Sequence, residues 1–309
     1  MSSVFPKVAV LLAAYNGMAW IEAQLDSILK QTNVCVSVFI SVDTSSDGTE
    51  AWCADYAQHH VNITLLPPAG QFGGASRNFF RLIQDVDFSS FDYVAFSDQD
   101  DIWYQDKLER ALSTLMSGNH DAYSSNVVAF WPDGQRILLD KAQPQVQWDH
   151  LFEAAGPGCT YVMNRPLADA FKSSLIAQWD VAQNVSLHDW YCYAFARSHG
   201  FRWFIDPAPG MDYRQHANNQ VGANTGLASL ITRLKKIADG WWAGQVLLIG
   251  RLTGGSETLF AGKITGTRWM FLRLTFMAGR CRRRPRDKIF FIIACLAAML
   301  NTPEQRNNR

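Results

Sequence analysis

The chain has no apolar run of the ~18 residues that a helical membrane span requires, so no segment is expected to cross a bilayer. It also lacks any CxxC pair and any His/Cys group at zinc spacing. The six cysteines (35, 53, 159, 192, 281 and 295) are scattered, which argues against a zinc site and predicts reduced thiols in a cytosolic compartment. No GxGxxG follows the first apolar run, "VAVLLAAY" (8–15), which argues against a dinucleotide oxidoreductase. The turn at that point, "AAYNGMAW", carries no Lys or Arg, and a sugar-phosphate nucleotidyltransferase would want a basic, glycine-rich loop there. Internal repeats and low-complexity tracts are absent. The opening "MSSVFPKVAVLLAAYNG" has an apolar stretch from Val8 to Ala14 that is too short for a secretion signal and is expected to be a first buried strand.

Charge is present in equal amounts of each sign, but it is unevenly placed. Residues 1–222 hold 13 basic and 24 acidic side chains, and residues 223–309 hold 15 and 4, giving formal charges of −11 and +11. An acidic body is suited to cations and a basic tail to anions. At 309 residues the chain can bury a large core.

In the first hundred residues, strand-like and helix-like patterns alternate. "VAVLLAAY" (8–15), "VSVFISVD" (36–43), "ITLLP" (63–67) and "DYVAFSD" (92–98) read as strands. Between them, "AWIEAQLDSILKQ" (19–31), "DGTEAWCADYAQHH" (47–60, Asp47 placed as cap) and "GGASRNFFRLIQDV" (73–86) read as helices. Continuous apolar strands separated by amphipathic helices predict a parallel sheet covered on both faces, with ligands beyond the carboxyl ends of the strands. Asp43 and Asp98 fall at those ends. After about residue 115 the pattern becomes irregular, apart from a helical "HDWYCYAFARSHG" (188–200); from 227 it turns helical and basic, as in "LASLITRLKKIADGWW".

"FSDQDDIW" (96–103) places three carboxylates in four positions after a buried strand and before an amphipathic segment with Leu108, Leu112 and Leu115. Acidic turns after strands are often merely solvated. Carboxylates crowded beside a core repel unless a cation neutralises them, and hard oxygen donors suit Mg²⁺ or Mn²⁺ completed by phosphate and water. Asp43 is either a turn residue or a group facing a ligand's polar edge at the crevice. His188 and Asp189 in "LHDWYCYAF" stand at the start of an aromatic helix, where an Asp is often a helix cap. His216 in "YRQHANN" (213–219) is an isolated histidine, as often structural as ligating.

In order, "VLLAAYNG", "SVDTSSDGT", "GGASRNF", "FSDQDDIW", "GPGCTYVMNR", "HDW" and "YRQHANN" resemble the family 2 glycosyltransferases of GT-A fold, over roughly residues 5–222. The resemblance is to the bacterial rhamnosyltransferase-like branch that builds cell-surface polysaccharides such as O-antigen. It implies one α/β domain in two halves, 1–115 binding a nucleotide-sugar and 116–222 binding the acceptor, followed by a helical, basic region at 223–309. It implies that Ala14, Tyr15, Asn16 and Asp43 bind base and ribose, with Arg77, Asn78, Asp98 and Gln99 also on the nucleotide-sugar. Asp98 and Asp100 would form a DxD holding Mg²⁺ or Mn²⁺, supported by Asp101 and completed by His216. Asp189 matches the family's general base, Asp212 being the next candidate; many relatives carry Glu where His188 precedes it. Gly158, Cys159, Thr160 and Trp190 are expected against the acceptor.

The resemblance further implies an inverting transfer from a nucleotide-diphospho-sugar to a hydroxyl of a glycan or lipid-linked acceptor. dTDP-rhamnose is the favoured donor, with UDP-linked hexoses and N-acetylhexosamines as alternatives. A catalytically inactive nucleotide- or glycan-binding module would need the DxD or the base to be missing, and both are present. For the tail, "RCRRRPRDK" (280–288) has six basic residues and one acid, and the apolar "IFFIIACLAAML" (289–300) follows it. This pair either lies on an anionic membrane surface at the cytoplasmic face or caps the core. A nucleic-acid partner is not expected.

Overall fold

Strand β1 (Lys7–Ala14) is buried from its second residue on, as an apolar run with no polar face must be. It lies parallel to β2 (Cys35–Val42) and β4 (Tyr93–Ser97), with Ala14 opposite Val42 and Leu12 opposite Ser97. β3 (Ile63–Leu65) extends the sheet beside β2. A computed structural model describes residues 5–216, 237, 239–255 and 267–301 of the chain.

The four expected strands are all present. The helices between them, α1 (Ile21–Leu29), α2 (Thr49–His59) and α3 (Ala75–Asp85), follow the predicted positions with trimmed ends. Asp47 accepts from the Thr49 N–H at 3.0 Å, although Gly48, left-handed at φ 92°, stands between it and the helix.

The region that reads as irregular completes the same sheet. β9 (Val162–Asn164) runs antiparallel between β4 and β6 (Ala122–Ser125), and β10 (Trp203–Asp206) closes the edge parallel to β6. The order is β10-β6-β9-β4-β1-β2-β3. A second sheet, β5-β11-β7-β8, is built from β5 (Ile102–Trp103), β11 (Met211–Arg214), β7 (Val127–Phe130) and β8 (Arg136–Leu139).

Alternation along β1 divides the core. Val8, Val10, Leu12 and Ala14 pack with α1 and α4 (Lys107–Met116). Ala9, Leu11 and Ala13 pack with α3, α5 (Arg165–Ala177) and α7 (His188–Ser198), the short α6 (Trp179–Ala182) lying between the last two in sequence.

The C-terminal helices α8 (Trp241–Leu252), α9 (Thr267–Phe276), α10 (Ala278–Cys281) and α11 (Pro285–Asn301) add Ile249, Phe271, Phe291 and Cys295 to that second core. Most of the expected helix "LASLITRLKKIADGWW" and the end of "YRQHANN" lie outside the described residues.

The tail therefore caps the core, and half of its basic cluster turns inward. Buried Arg283 approaches Asp149 at 3.3 Å and Glu153 at 3.6 Å, Arg282 pairs with Glu153, and Arg284 with Asp140. Part of the opposed charge of the two regions is thus neutralised within the molecule. Among the described residues no helix is long and apolar enough to cross a membrane, and all six cysteines are free thiols.

Candidate active site

Three strand ends meet at one edge of the large sheet. Past β1, Asn16 adopts a left-handed φ of 47°, its Oδ1 accepts from Ser46 N (2.8 Å), and Gly17 N donates to Thr49 Oγ1 (2.8 Å). This laces the first turn to the one after β2. Gln99 clamps the same turn from the other side: its Oε1 accepts from Tyr15 N and its Nε2 donates to Tyr15 O, both at 2.7 Å. A Cβ on Gly17 would overlap Gln99 Oε1, so the clamp needs glycine there. Gln99, expected on the nucleotide-sugar, has its amide engaged in holding the loop.

Asp43 accepts from Thr44 N (2.8 Å), Phe72 N (2.8 Å) and Gly73 N (2.9 Å), tying the glycine-rich turn before α3 across the crevice. Asn78 is buried and donates to Ala14 O (3.2 Å) and Ser41 O (3.0 Å), joining the ends of β1 and β2. Arg77 sits on the rim, its Nε donating to Gln183 O (3.0 Å). Tyr15 is exposed above this crevice.

At the end of β4 the carboxylates separate into roles. Asp100 Oδ2 meets His216 Nε2 at 2.7 Å, and the imidazole stacks on Trp20 with centroids 4.0 Å apart. Asp101 is buried and accepts from Arg214 N (3.1 Å) on β11, while its Oδ2 has no hydrogen-bond partner. Ligand atoms of Asp98, Asp101 and Cys159 lie within 4.8 Å of one another. Burial, then the charges of Asp100 and Asp189, push Asp98 up to about 7. Burial, then the charges of Asp100 and Asp98, raises Asp101 well above the usual range.

Two basic side chains of the protein lie beside these carboxyls, and Arg214 Nε donates to Asp100 O (2.9 Å). Lys107 is buried with Nζ 3.2 Å from the Trp103 ring centroid, and burial pulls it down to about 7. Crowded carboxylate oxygens, one of them buried and unpartnered, together with an imidazole nitrogen, form a donor set that fits a divalent cation such as Mg²⁺ or Mn²⁺.

Across the cleft, Ser76 Oγ accepts from His188 N (2.9 Å) and donates to Ser186 O (2.6 Å), fixing the start of α7. His188 stacks on Phe79 at 3.9 Å, and burial lowers it to about 3, so it is neutral. Asp189 is half-buried, and its Oδ1 accepts from Trp190 N (2.8 Å). Burial pushes it up to about 6, against the Trp190 N–H and the charge of Lys141. A Cβ on Gly158 would lie 2.7 Å from His188 Nε2 and 3.0 Å from Asp189 Cβ, so only glycine lets this turn approach α7.

The residues expected on the acceptor are packed into the protein. Gly158, Cys159 and Thr160 are buried, with Thr160 Oγ1 donating to Pro157 O (2.7 Å). Trp190 is 3% exposed, its indole N–H donating to His150 O (3.1 Å). They brace the site from behind. Asp212 is engaged by Arg136 and by Tyr104 O–H, each near 2.6 Å or closer. Trp20, Arg214, Lys107 and Lys141 were missed by sequence reasoning. Of these, only the exposed-side "MAW" before α1 gave a signal, an aromatic at a crevice mouth.

The profile of Glycosyl transferase family 2 matches residues 9–160. The dTDP-rhamnosyl transferase RfbG of Shigella flexneri is 43% identical over 286 residues, covering 91% of this chain and 98% of that protein. The chain is a family 2 glycosyltransferase. A second family 2 relative, named UDP-Glc:alpha-D-GlcNAc-diphosphoundecaprenol beta-1,3-glucosyltransferase WfgD, from Escherichia coli, is 25% identical over 181 residues (56% of this chain, 66% of that one). Solved glycosyltransferase structures share the GT-A-like fold. Staphylococcus aureus TarS residues 1–349 superpose with TM-score 0.56 at 12% identity, covering 95% of this chain and 90% of that one. The mannosyltransferase PcManGT of Pyrobaculum calidifontis, solved with GDP-Man and Mn²⁺, gives 0.51 at 16% identity, covering 96% and 87%.

Proposed function

We propose that this glycosyltransferase moves a sugar, dTDP-rhamnose being the first donor to test, onto a hydroxyl of a glycan or lipid-linked acceptor in cell-surface polysaccharide synthesis, with inversion. The observation that supports this reading is the 2.7 Å approach of His216 to Asp100 at the strand ends, next to the crowded carboxyls of Asp98 and Asp101. The donor choice is supported by the name of the Shigella flexneri relative.

In this reading Tyr15, Asn16 and Asp43 receive the nucleoside, and Asp98, Asp100 and His216 hold Mg²⁺ or Mn²⁺. Bound there, the cation supplies Lewis-acid stabilisation to the departing diphosphate. Asp189, raised to about 6, is ionised at neutral pH and still basic enough to take the acceptor's hydroxyl proton. The acceptor oxygen forms its bond to the anomeric carbon as the carbon–oxygen bond to the diphosphate breaks, the nucleoside diphosphate leaving with that electron pair. One displacement inverts the centre and needs no covalent nucleophile. The partners are the nucleotide-sugar and the acceptor, met at the cytoplasmic face of a membrane; nucleic acid is not among them.

The test is release of nucleoside diphosphate from a panel of dTDP-, UDP- and GDP-sugars with Mg²⁺ or Mn²⁺, repeated in EDTA. Release confined to dTDP-rhamnose and abolished by chelation is expected. Undiminished turnover in chelator would overturn the metal reading, and saturable binding of nucleotide-sugar without release under any condition would indicate a binding module.

A further inference from the structure

The C-terminal helices present two faces. On α11, Phe291, Ala294, Cys295 and Ala298 are buried, whereas Ile289, Ile293, Leu296 and Leu300 are exposed. Spacings of four, three and four residues align those four along one side of the helix. α9, which packs against α11, exposes Trp269 and Phe276 two turns apart. These six side chains, 41% to 85% exposed, are six of the fifteen large apolar residues left exposed among the described residues. Scattered single exposures are ordinary, but such concentration on two adjoining helices marks an interaction face.

The charge beside this face has one sign. Arg273, Arg280 and Arg286 are exposed and Lys288 is half-buried, while the only acid within residues 267–301, Asp287, is mostly buried against Arg282 and Arg286. Arg282, Arg283 and Arg284 are engaged inside the molecule and do not contribute. A second copy packed symmetrically on this face would bring arginines against arginines, with no exposed acid among residues 267–301 to separate them. An anionic bilayer complements both features: its phosphates meet the arginines, and its acyl boundary takes the apolar stripe. α11 has 17 residues, and no described helix is long and apolar enough to span, so it would lie in the plane of the interface.

We propose that α9 and α11 form a docking face for an anionic phospholipid surface, with Trp269, Phe276, Ile289, Ile293, Leu296 and Leu300 inserted at the headgroup level and the exposed arginines on the phosphates. This extends the proposed function, whose lipid-linked acceptor would be met at such a surface, and rests on that reading for its purpose alone. Deleting the tail would not test it, because deletion also removes Arg283 and the buried side of α11 from the core.

The test uses the full chain and co-sedimentation with vesicles of phosphatidylcholine alone or mixed with phosphatidylglycerol, at low and high salt. Binding to the mixed vesicles, weakened by salt and at least ~10-fold stronger than to neutral ones, is expected. The double variant I293S/L296S, placed on the exposed side, should lose at least ~10-fold of that partition while its melting temperature and its release of nucleoside diphosphate in solution stay unchanged. Absence of vesicle binding at low salt overturns the proposal. So does a dimer in solution that I293S/L296S dissolves while vesicle binding is unaffected, since the face would then belong to a second copy. Loss of sugar transfer with vesicle binding intact counts against the proposed function only.

Discussion

Asp189→Asn should make the protein both inactive and more stable. Burial, which disfavours its charge, pushes the carboxyl up to about 6 in the fold, above the ordinary carboxylate range. The folded state therefore holds a proton between about pH 4 and 6 that the unfolded chain has released, and stability falls as pH rises through that window. That difference corresponds to about 3 kcal/mol at most, and about 1–2 kcal/mol once the water of a half-open cleft is allowed for. Asparagine cannot ionise, yet its Oδ1 can still accept the Trp190 N–H now held at 2.8 Å, so the variant escapes the penalty without losing the bond. At pH 8 it should melt above the wild type; at pH 4 the two should converge.

With Mn²⁺ kept saturating at every pH, so that the titration of Asp98 does not limit the rate, transfer by the wild type should fall about tenfold per unit below pH 6 as the base takes a proton, whereas the variant, slower by ~10² or more, should lack that limb. Initial rates of nucleoside diphosphate release from pH 5 to 8, and thermal denaturation in chelator at pH 4 and 8, measure both effects. Wild-type turnover by the variant, or a lower melting temperature than wild type at pH 8, would refute the reasoning.

Three further outcomes follow from the geometry. His216→Ala and Asp100→Asn should each weaken Mn²⁺ binding by ~10-fold or more; because Asp98, near 7, must release its proton, wild-type affinity should rise with pH through that value, which calorimetry in two buffers can check. Gly158→Ala, forcing a Cβ to within 2.7 Å of His188 Nε2, should cost about 1–3 kcal/mol and slow transfer more than it weakens nucleotide binding; a variant with wild-type kinetics would show that the turn yields freely. Arg283→Met should destabilise by about 3–5 kcal/mol in urea, since Asp149 stays buried with one cation fewer, and a loss below about 1 kcal/mol would show that the tail is anchored elsewhere.

Local pattern carried much of this protein. The apolar runs at 8–15 and 93–96 read as buried strands, the ends of "VSVFISVD" (36–43) and "DYVAFSD" (92–98) put Asp43 and Asp98 on one edge, and the ordered motifs identified the family. Those signals are legible because strand burial and helix periodicity are properties of neighbouring residues. What each side chain touches was decided by contacts between distant segments. Asp100 meets His216 across 116 positions, and Gln99 turns back to Tyr15 across 84. Trp190, aromatic and beside the base, could equally have lined a cleft or filled a core; the loop carrying His150 closed over it. The tail's arginines read as one basic cluster, yet Arg283 points inward to Asp149 and Arg286 outward, because helix direction and the acids on a different loop set which charges are paired. Sequence alone determined which residues had to be buried and which chemistry was available; only the folded chain decided which buried surfaces met and which charges were left facing outward.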